Sequence, residues 1–223
     1  MRKIRIMEHI TLDGVIQAPG GPDEDGDYPY GGWAGPHADP DGGAAIVEGQ
    51  GETFDLLLGR RTYDIFAGFW PKAPKSPMSD SFNAATKYVA THRPDSLAWG
   101  PAEDLGADIV EDIRRIKEKD GPQLIVWGSS ELTPVLIEHE LADEVLLLVF
   151  PVLLGKGKRI FADGTPVWSR NSIGLKRGDL QLKDPHNIRV AHPPGKVTKW
   201  GCLPAAPPVR GTPGIQTPRE NSF

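Results

Sequence analysis

Several short stretches place cationic or N–H-rich groups where an apolar run stops. Leu56-Leu57-Leu58 runs into Gly59-Arg60-Arg61-Thr62. Arginine offers forked donors that match phosphate oxygens. Two cations at a helix start oppose the helix dipole, so this turn calls for an anion to offset them. Leu124-Ile125-Val126-Trp127 runs into Gly128-Ser129-Ser130. A turn of that kind feeding a helix aims backbone N–H groups at one point, which suits a phosphate, and Ser129 or Ser130 is placed to cap the helix. Lys87-Tyr88-Val89-Ala90 ends in Thr91-His92-Arg93, a hydroxyl and cations able to face a phosphomonoester. Gly155-Lys156-Gly157, followed by Lys158 and Arg159, permits close backbone approach and adds positive charge; a plain surface turn explains it equally well. Asp13-Gly14 is a turn signal, and Asp13 is either a turn-former or a substrate contact.

The elements that must position these groups can be read from periodicity. Ile4, Ile6 and Ile10 with Arg5, Glu8 and Thr11 indicate a first strand with partial alternation. Residues 18–43 form a long loop, and a loop of that length in a compact domain is usually a functional lid or disordered. Its Tyr28, Tyr30 and Trp33 are large for a solvated loop and are placed to close over an aromatic ligand. Asp23, Asp25 and Asp27 begin like a calcium loop, but Tyr28 stands where the glycine belongs and Ala34 where the bidentate Glu belongs, so calcium is rejected. A short helix is expected over 44–54, weakened by Gly49 and Gly51, and residues 69–79 read as irregular. Asp108 to Glu111 has capping-box spacing before a surface helix with Ile109, Ile113 and Ile116 on one face. After Gly128, Leu132, Val135, Leu136 and Leu141 approach helical spacing, and Glu144–Phe150 is an aliphatic strand. Leu175, Leu180 and Leu182 mark candidate edge strands.

The chain has 223 residues and a formal net charge of -5, enough length for one domain with a full core. The acidic balance and the lack of a Lys/Arg stripe give no reason to expect nucleic acid. A single cysteine, Cys202, excludes an internal disulfide and fits a reducing compartment. The N-terminus is too short and too charged for a signal peptide, and no apolar run reaches the ~20 residues of a membrane span. A cytoplasmic protein is therefore expected. Glycine and proline cluster at 19–43 and from 193 onward, so 193–223 reads as a mobile tail. No GxGxxG follows the first strand, and there is no GxxxxGK[ST], no GxSxG around Ser129, and no paired His/Cys set. Metal catalysis and serine-type nucleophilic catalysis are not expected.

Thr11-Leu12-Asp13-Gly14, Leu57-Leu58-Gly59-Arg60-Arg61-Thr62-Tyr63, Lys87-Tyr88-Val89-Ala90-Thr91, Val126-Trp127-Gly128-Ser129 and Pro151-Val152-Leu153-Leu154-Gly155-Lys156-Gly157 occur in this order. The ordered set resembles the dihydrofolate reductase-like family typified by the C-terminal reductase domain of the bifunctional riboflavin-biosynthesis deaminase/reductase. The resemblance covers about residues 1–163. It implies an α/β three-layer sandwich, with a mixed, mostly parallel sheet of about eight strands flanked by helices. It also implies NADPH as cofactor and a homodimer. By position it implies that Gly59, Arg60, Arg61 and Thr62 hold NADPH phosphates, that Thr91, His92 and Arg93 face the adenosine 2′-phosphate, and that Gly128, Ser129, Ser130 and Leu132 form the pyrophosphate turn. Asp13, Gly14, Trp33, Gly155, Lys156 and Gly157 would border the substrate; proton delivery is unassigned, with Asp13 and a lid-bound water as the candidates. No deaminase domain or zinc-ligand spacing is present, so a stand-alone reductase domain is expected over 1–163, with 164–192 completing the sheet. The closing strand of the family is replaced near Leu180 to Asn187 by a sequence without its pattern.

The expected activity is hydride transfer from NADPH to a small heteroaromatic or carbonyl compound, of pyrimidine or pterin type. A non-catalytic nucleotide-binding module on the same fold is the rival. A phosphatase- or kinase-like α/β domain lacks its motifs.

Overall fold

A computed structural model describes residues 1–38, 40–161 and 173–177, with the backbone alone for 40–41 and 173–177. Seven strands form one sheet: β1 (Ile4–Thr11), β2 (Phe54–Gly59), β3 (Lys87–Ala90), β4 (Ala102–Asp104), β5 (Gln123–Trp127), β6 (Glu144–Phe150) and β7 (Ile173–Arg177). Their spatial order is β4-β3-β2-β5-β1-β6-β7. Every strand pairing among the described residues is parallel. Seven of the about eight strands expected lie within these residues, all of them parallel. The antiparallel element among them is a single bridge, Val15 to Arg159.

The sheet is covered on both faces, so its central strands are apolar on both. One face collects Ile4, Ile6, Ile10, Leu57, Val126 and Leu147 with α4 (Ile109–Glu118) and α5 (Leu132–Glu138). The other collects Met7, Leu56, Leu58, Ile125 and Leu148 with α1 (Pro40–Gln50), α2 (Arg60–Phe69) and α3 (Pro77–Ala84). This is the expected three-layer sandwich. No helix among the described residues is long and apolar enough to cross a membrane.

Several local expectations change. The loop drawn over 18–43 ends sooner, because α1 starts at Pro40, which suits a first helical position. The helix expected over 44–54 stops at Gln50, and Phe54 already belongs to β2. Gly49 weakens that helix by propensity but has a packing reason. A Cβ there would lie 2.6 Å from Leu146 Cδ2 and 2.8 Å from Met7 Cε, so a larger residue would push these side-chain ends aside. The stretch read as irregular holds α3, started by Ser76 in a capping box with Ser79 and by Pro77 at N1. The short strand β4 carried no apolar run to reveal it. Asp108 does cap α4, accepting from Glu111 N at 3.1 Å. Leu175 falls in β7, which pairs with β6. The expectations on Leu180, Leu182 and the 193–223 tail lie outside the described residues.

Candidate active site at the carboxyl ends of the central strands

Strands β2 and β5 are neighbours, but the helices that follow them pack on opposite faces, α2 on one and α5 on the other. Adjacent strands whose connections diverge leave a crevice at their carboxyl ends, the usual ligand position in open α/β sheets. The two turns there are fastened together. Ser129 Oγ accepts from Gly59 N at 2.9 Å, and Ser129 N donates to Thr62 Oγ1 at 3.0 Å. Gly128 and Ser129 both have positive φ, 55° and 57°. A Cβ on Gly128 would lie 3.2 Å from Thr62 Oγ1, so the turn closes on α2 with no room to spare.

The expectation that Ser129 or Ser130 caps α5 is corrected. The N-cap is Glu131, without a side-chain cap bond. The Ser129 hydroxyl instead donates to Trp127 O at 3.0 Å and joins the β2 turn. Leu132 points into the core, and its N–H goes to Ser129 O at 2.8 Å, so its side chain packs rather than faces the crevice.

Arg60 links the second terminus to the third. Its guanidinium bonds Asp64 at 2.9 and 3.0 Å, Thr91 Oγ1 at 3.3 Å, Arg93 O at 2.9 Å and Ser96 Oγ at 2.8 Å. Thr91 Oγ1 also accepts from Arg93 N at 3.0 Å. The turns after β2, β3 and β5 therefore form one continuous rim. The anions that the two arginines called for are supplied by the chain itself: Asp64 pairs with Arg60, and Asp25 of the 18–34 loop pairs with Arg61. Arg93 reaches Asp64 at 3.2 Å and is otherwise exposed, as is His92.

Asp25 is the loop's anchor. Besides Arg61 it accepts from Gln17 Nε2 at 2.6 Å and pairs with Lys158 at 3.1 Å, tying the loop to α2 on one side and to the post-β6 turn on the other. Trp33 is buried, donates to Gln17 O at 2.7 Å and stands edge-on to Phe150 at 5.4 Å. Tyr28 donates to Lys156 O at 2.8 Å and meets Tyr30 edge-on at 5.7 Å, with Lys156 Nζ 5.6 Å from the Tyr30 ring centre. The aromatic residues thus close the loop over the strand ends.

On the β1–β6 side, Asp13 accepts from Thr11 Oγ1 at 2.6 Å, Leu154 N at 3.2 Å and Gly155 N at 2.7 Å, with Arg159 at 3.7 Å. The Thr11 hydroxyl and the two backbone N–H groups hold its carboxyl down at about 2. Asp13 is therefore ionised at neutral pH and carries no proton to deliver. It fastens the Gly155–Gly157 turn to the Asp13-Gly14 turn. The structure brings Asp13, Gly14, Gly155, Lys156 and Gly157 together at one edge, with Trp33 packed behind on Phe150.

Two titratable residues on β1, the buried Glu8 and the half-buried His9, were missed. Glu8 is 1% exposed, and burial pushes its carboxyl well above the usual carboxylate range. His9, on the opposite face, lies tilted over Trp127 and edge-on to Phe150, each at 5.3 Å, and burial lowers it to about 4. A signal for Glu8 was present: positions 4, 6, 8 and 10 share one face, and three of them are isoleucine.

YyaP of Bacillus subtilis, described as uncharacterized, is 26% identical over 166 residues, covering 73% of this chain and 81% of its own. YwjB of the same organism, described likewise, is 27% identical over 110 residues, covering 49% of this chain and 59% of its own. A solved structure of a proposed riboflavin biosynthesis protein from Shewanella sp. PV-4 has a TM-score of 0.47 at 21% identity, covering 72% of this chain and 84% of that one. The family model of the RibD C-terminal domain matches residues 2–183, and the chain belongs to that family of reductase-type domains.

Proposed function

We propose that this protein is an NADPH-dependent reductase acting on a small heteroaromatic or carbonyl compound of pyrimidine or pterin type, in the manner of a riboflavin-biosynthesis reductase. The observation that carries the reading is the single rim made by the turns after β2, β3 and β5, joined through Ser129, Thr62 and Arg60. The residues fit a doubly phosphorylated nucleotide. Arg61 and Arg93 are exposed guanidiniums, each paired with one carboxylate that a phosphate can replace. Gly128 leaves the backbone bare where a side chain would intrude. Thr91, His92 and Arg93 suit a 2′-phosphate, and Gly59, Thr62, Ser129 and Ser130 border the pyrophosphate. Arg60 acts here as a strut that keeps Thr91 and Arg93 in place.

When bound, the nicotinamide supplies hydride; the protein supplies binding, orientation and electrostatics. Asp13 holds the 154–157 turn against the substrate side, and the loop carrying Tyr28, Tyr30 and Trp33 excludes water. A cytoplasmic homodimer belongs to the same reading, with light scattering as its check. The rival, a non-catalytic NADP(H)-binding module, draws support from the Asp25–Arg61 pair that pins the loop shut.

Nicotinamide fluorescence on adding NADPH tests the cofactor assignment. The Arg61→Ala/Arg93→Ala variant should bind about tenfold or more weakly, a loss of about 1.4 kcal/mol or more. Unchanged binding by that variant, or no binding by the wild type below millimolar, would sink it. Oxidation of bound NADPH by a dihydropterin, pyrimidine or quinone acceptor separates the reductase from the rival.

A further inference from the structure

Glu8 sits near the carboxyl end of β1, an interior strand between β5 and β6. It shares a face with Ile4, Ile6 and Ile10, is registered beside Leu147 of β6, and lies next to the point where β5 passes into Gly128. The backbone N–H groups of His9 and Gly128 face its carboxyl, and Glu24 of the loop above is the charged side chain acting on it. Its Oε2 has no hydrogen-bond partner. A buried polar atom left unpaired costs about 1–3 kcal/mol. A leucine at this position would continue the Ile4–Ile10 face without that cost. A lone carboxyl under a loop, at the strand ends where this fold keeps its ligands, therefore marks chemistry.

Burial, reinforced by Glu24, shifts Glu8 towards its neutral form, against the pull of the two N–H groups. The neighbouring candidates lack this property: Asp13 is ionised, and His9 is an uncharged imidazole packed between rings. We propose that Glu8 is the proton donor of the reduction, reached when the 18–34 loop lifts Glu24 away from it. The proposal rests on the reductase reading above.

A bound reduced nicotinamide would supply hydride to a carbonyl or imine carbon and end oxidised, and the π pair of that carbon would move to oxygen or nitrogen. The Glu8 O–H bond breaks, and its proton completes the new O–H or N–H. Glu8 is left as a carboxylate facing the N–H groups of His9 and Gly128, which favour that form. Water restores the proton when the loop opens. Turnover must then fall as pH rises through the titration of Glu8. Glu24 is the charged group facing it; β6 presents Leu147, and β5 presents backbone.

Glu8→Gln preserves shape and charge but removes the acid, and three readouts follow. Infrared difference spectra between wild type and variant at neutral pH should show a protonated-carboxyl band in the wild type alone. NADPH titration by fluorescence should give affinities within about twofold, since the nucleotide rim is intact. Turnover with NADPH and dihydrofolate or a pyrimidine carbonyl should drop about 100-fold or more, the usual effect of losing a general acid. Absence of the band, meaning an ionised Glu8, overturns the proposal. So does near-wild-type turnover by the variant, which leaves the reductase reading standing. A wild type that binds no NADPH removes the reductase reading and the proposal with it. Glu8→Asp, which withdraws the carboxyl by one methylene, should also lose turnover, and the wild-type pH profile gives a check independent of any variant.

Discussion

Arg60→Ala separates a strut from a phosphate ligand. Arg60 donates to Arg93 O at 2.9 Å and Ser96 Oγ at 2.8 Å, and each such bond contributes about 1 kcal/mol. Its pair with Asp64 is an exposed i,i+4 contact, worth about 0.3–0.5 kcal/mol. Its guanidinium lies 5.6 Å from the Tyr63 ring centre, adding about 0.5 kcal/mol. Truncation should therefore cost about 2–3 kcal/mol. At about 2–4 °C per kcal/mol for a chain of this size, Tm should fall by about 4–12 °C. Differential scanning calorimetry reads this directly, and NADPH titration of the same sample reports how far the Thr91–Arg93 turn has loosened. Arg60→Lys should recover only the Asp64 contact, because an ammonium cannot span the other acceptors. An unchanged Tm with a large loss of NADPH affinity would refute the reasoning, since Arg60 would then be a ligand and not a strut.

Other outcomes follow from the same contacts. Gly128→Ala places a Cβ 3.2 Å from Thr62 Oγ1 on a residue at φ +55°, so it should lose about 1–3 kcal/mol by chemical denaturation and weaken NADPH binding. Asp13 is held at about 2, below its usual 3.8, so its stabilising contacts are complete above pH ~4 and are lost as pH falls through ~2. The Gly155 amide resonance should titrate near that lower value; a midpoint near 4 would mean the Thr11 and Gly155 contacts are not formed. Lys87 is fully buried beneath Trp99, donates to Asn83 O at 2.8 Å, and is lowered by burial from 10.5 to about 8. A lowered lysine binds its proton more weakly when folded, so stability should rise with pH between about 8 and 10.5. Lys87→Met should abolish that rise in denaturation measured across this range.

Much of this protein was legible from the order of its residues. Apolar runs that stop at Gly59, Thr91 and Gly128 identified three strand ends, because a strand buried on both faces has no polar positions until it leaves the sheet. The hydroxyl and cationic residues that follow those runs identified the rim. What sequence could not show was how these groups are used. Two arginines at a helix start asked for an anion, but only the folded chain brings Asp25 across from a distant loop to meet Arg61. The hydroxyl of Ser129 looked like a helix cap, yet a positive-φ turn points it at Gly59 instead. Asp13 read as a turn-former, a substrate contact or one of two candidate proton sources, and only the fold brings Leu154 and Gly155, far along the chain, to lower its carboxyl. Glu8 lay in plain view as one polar letter among isoleucines. Its meaning came from the sheet and loop that remove it from water, for a carboxyl's charge depends on what surrounds it in space and not on its neighbours along the chain.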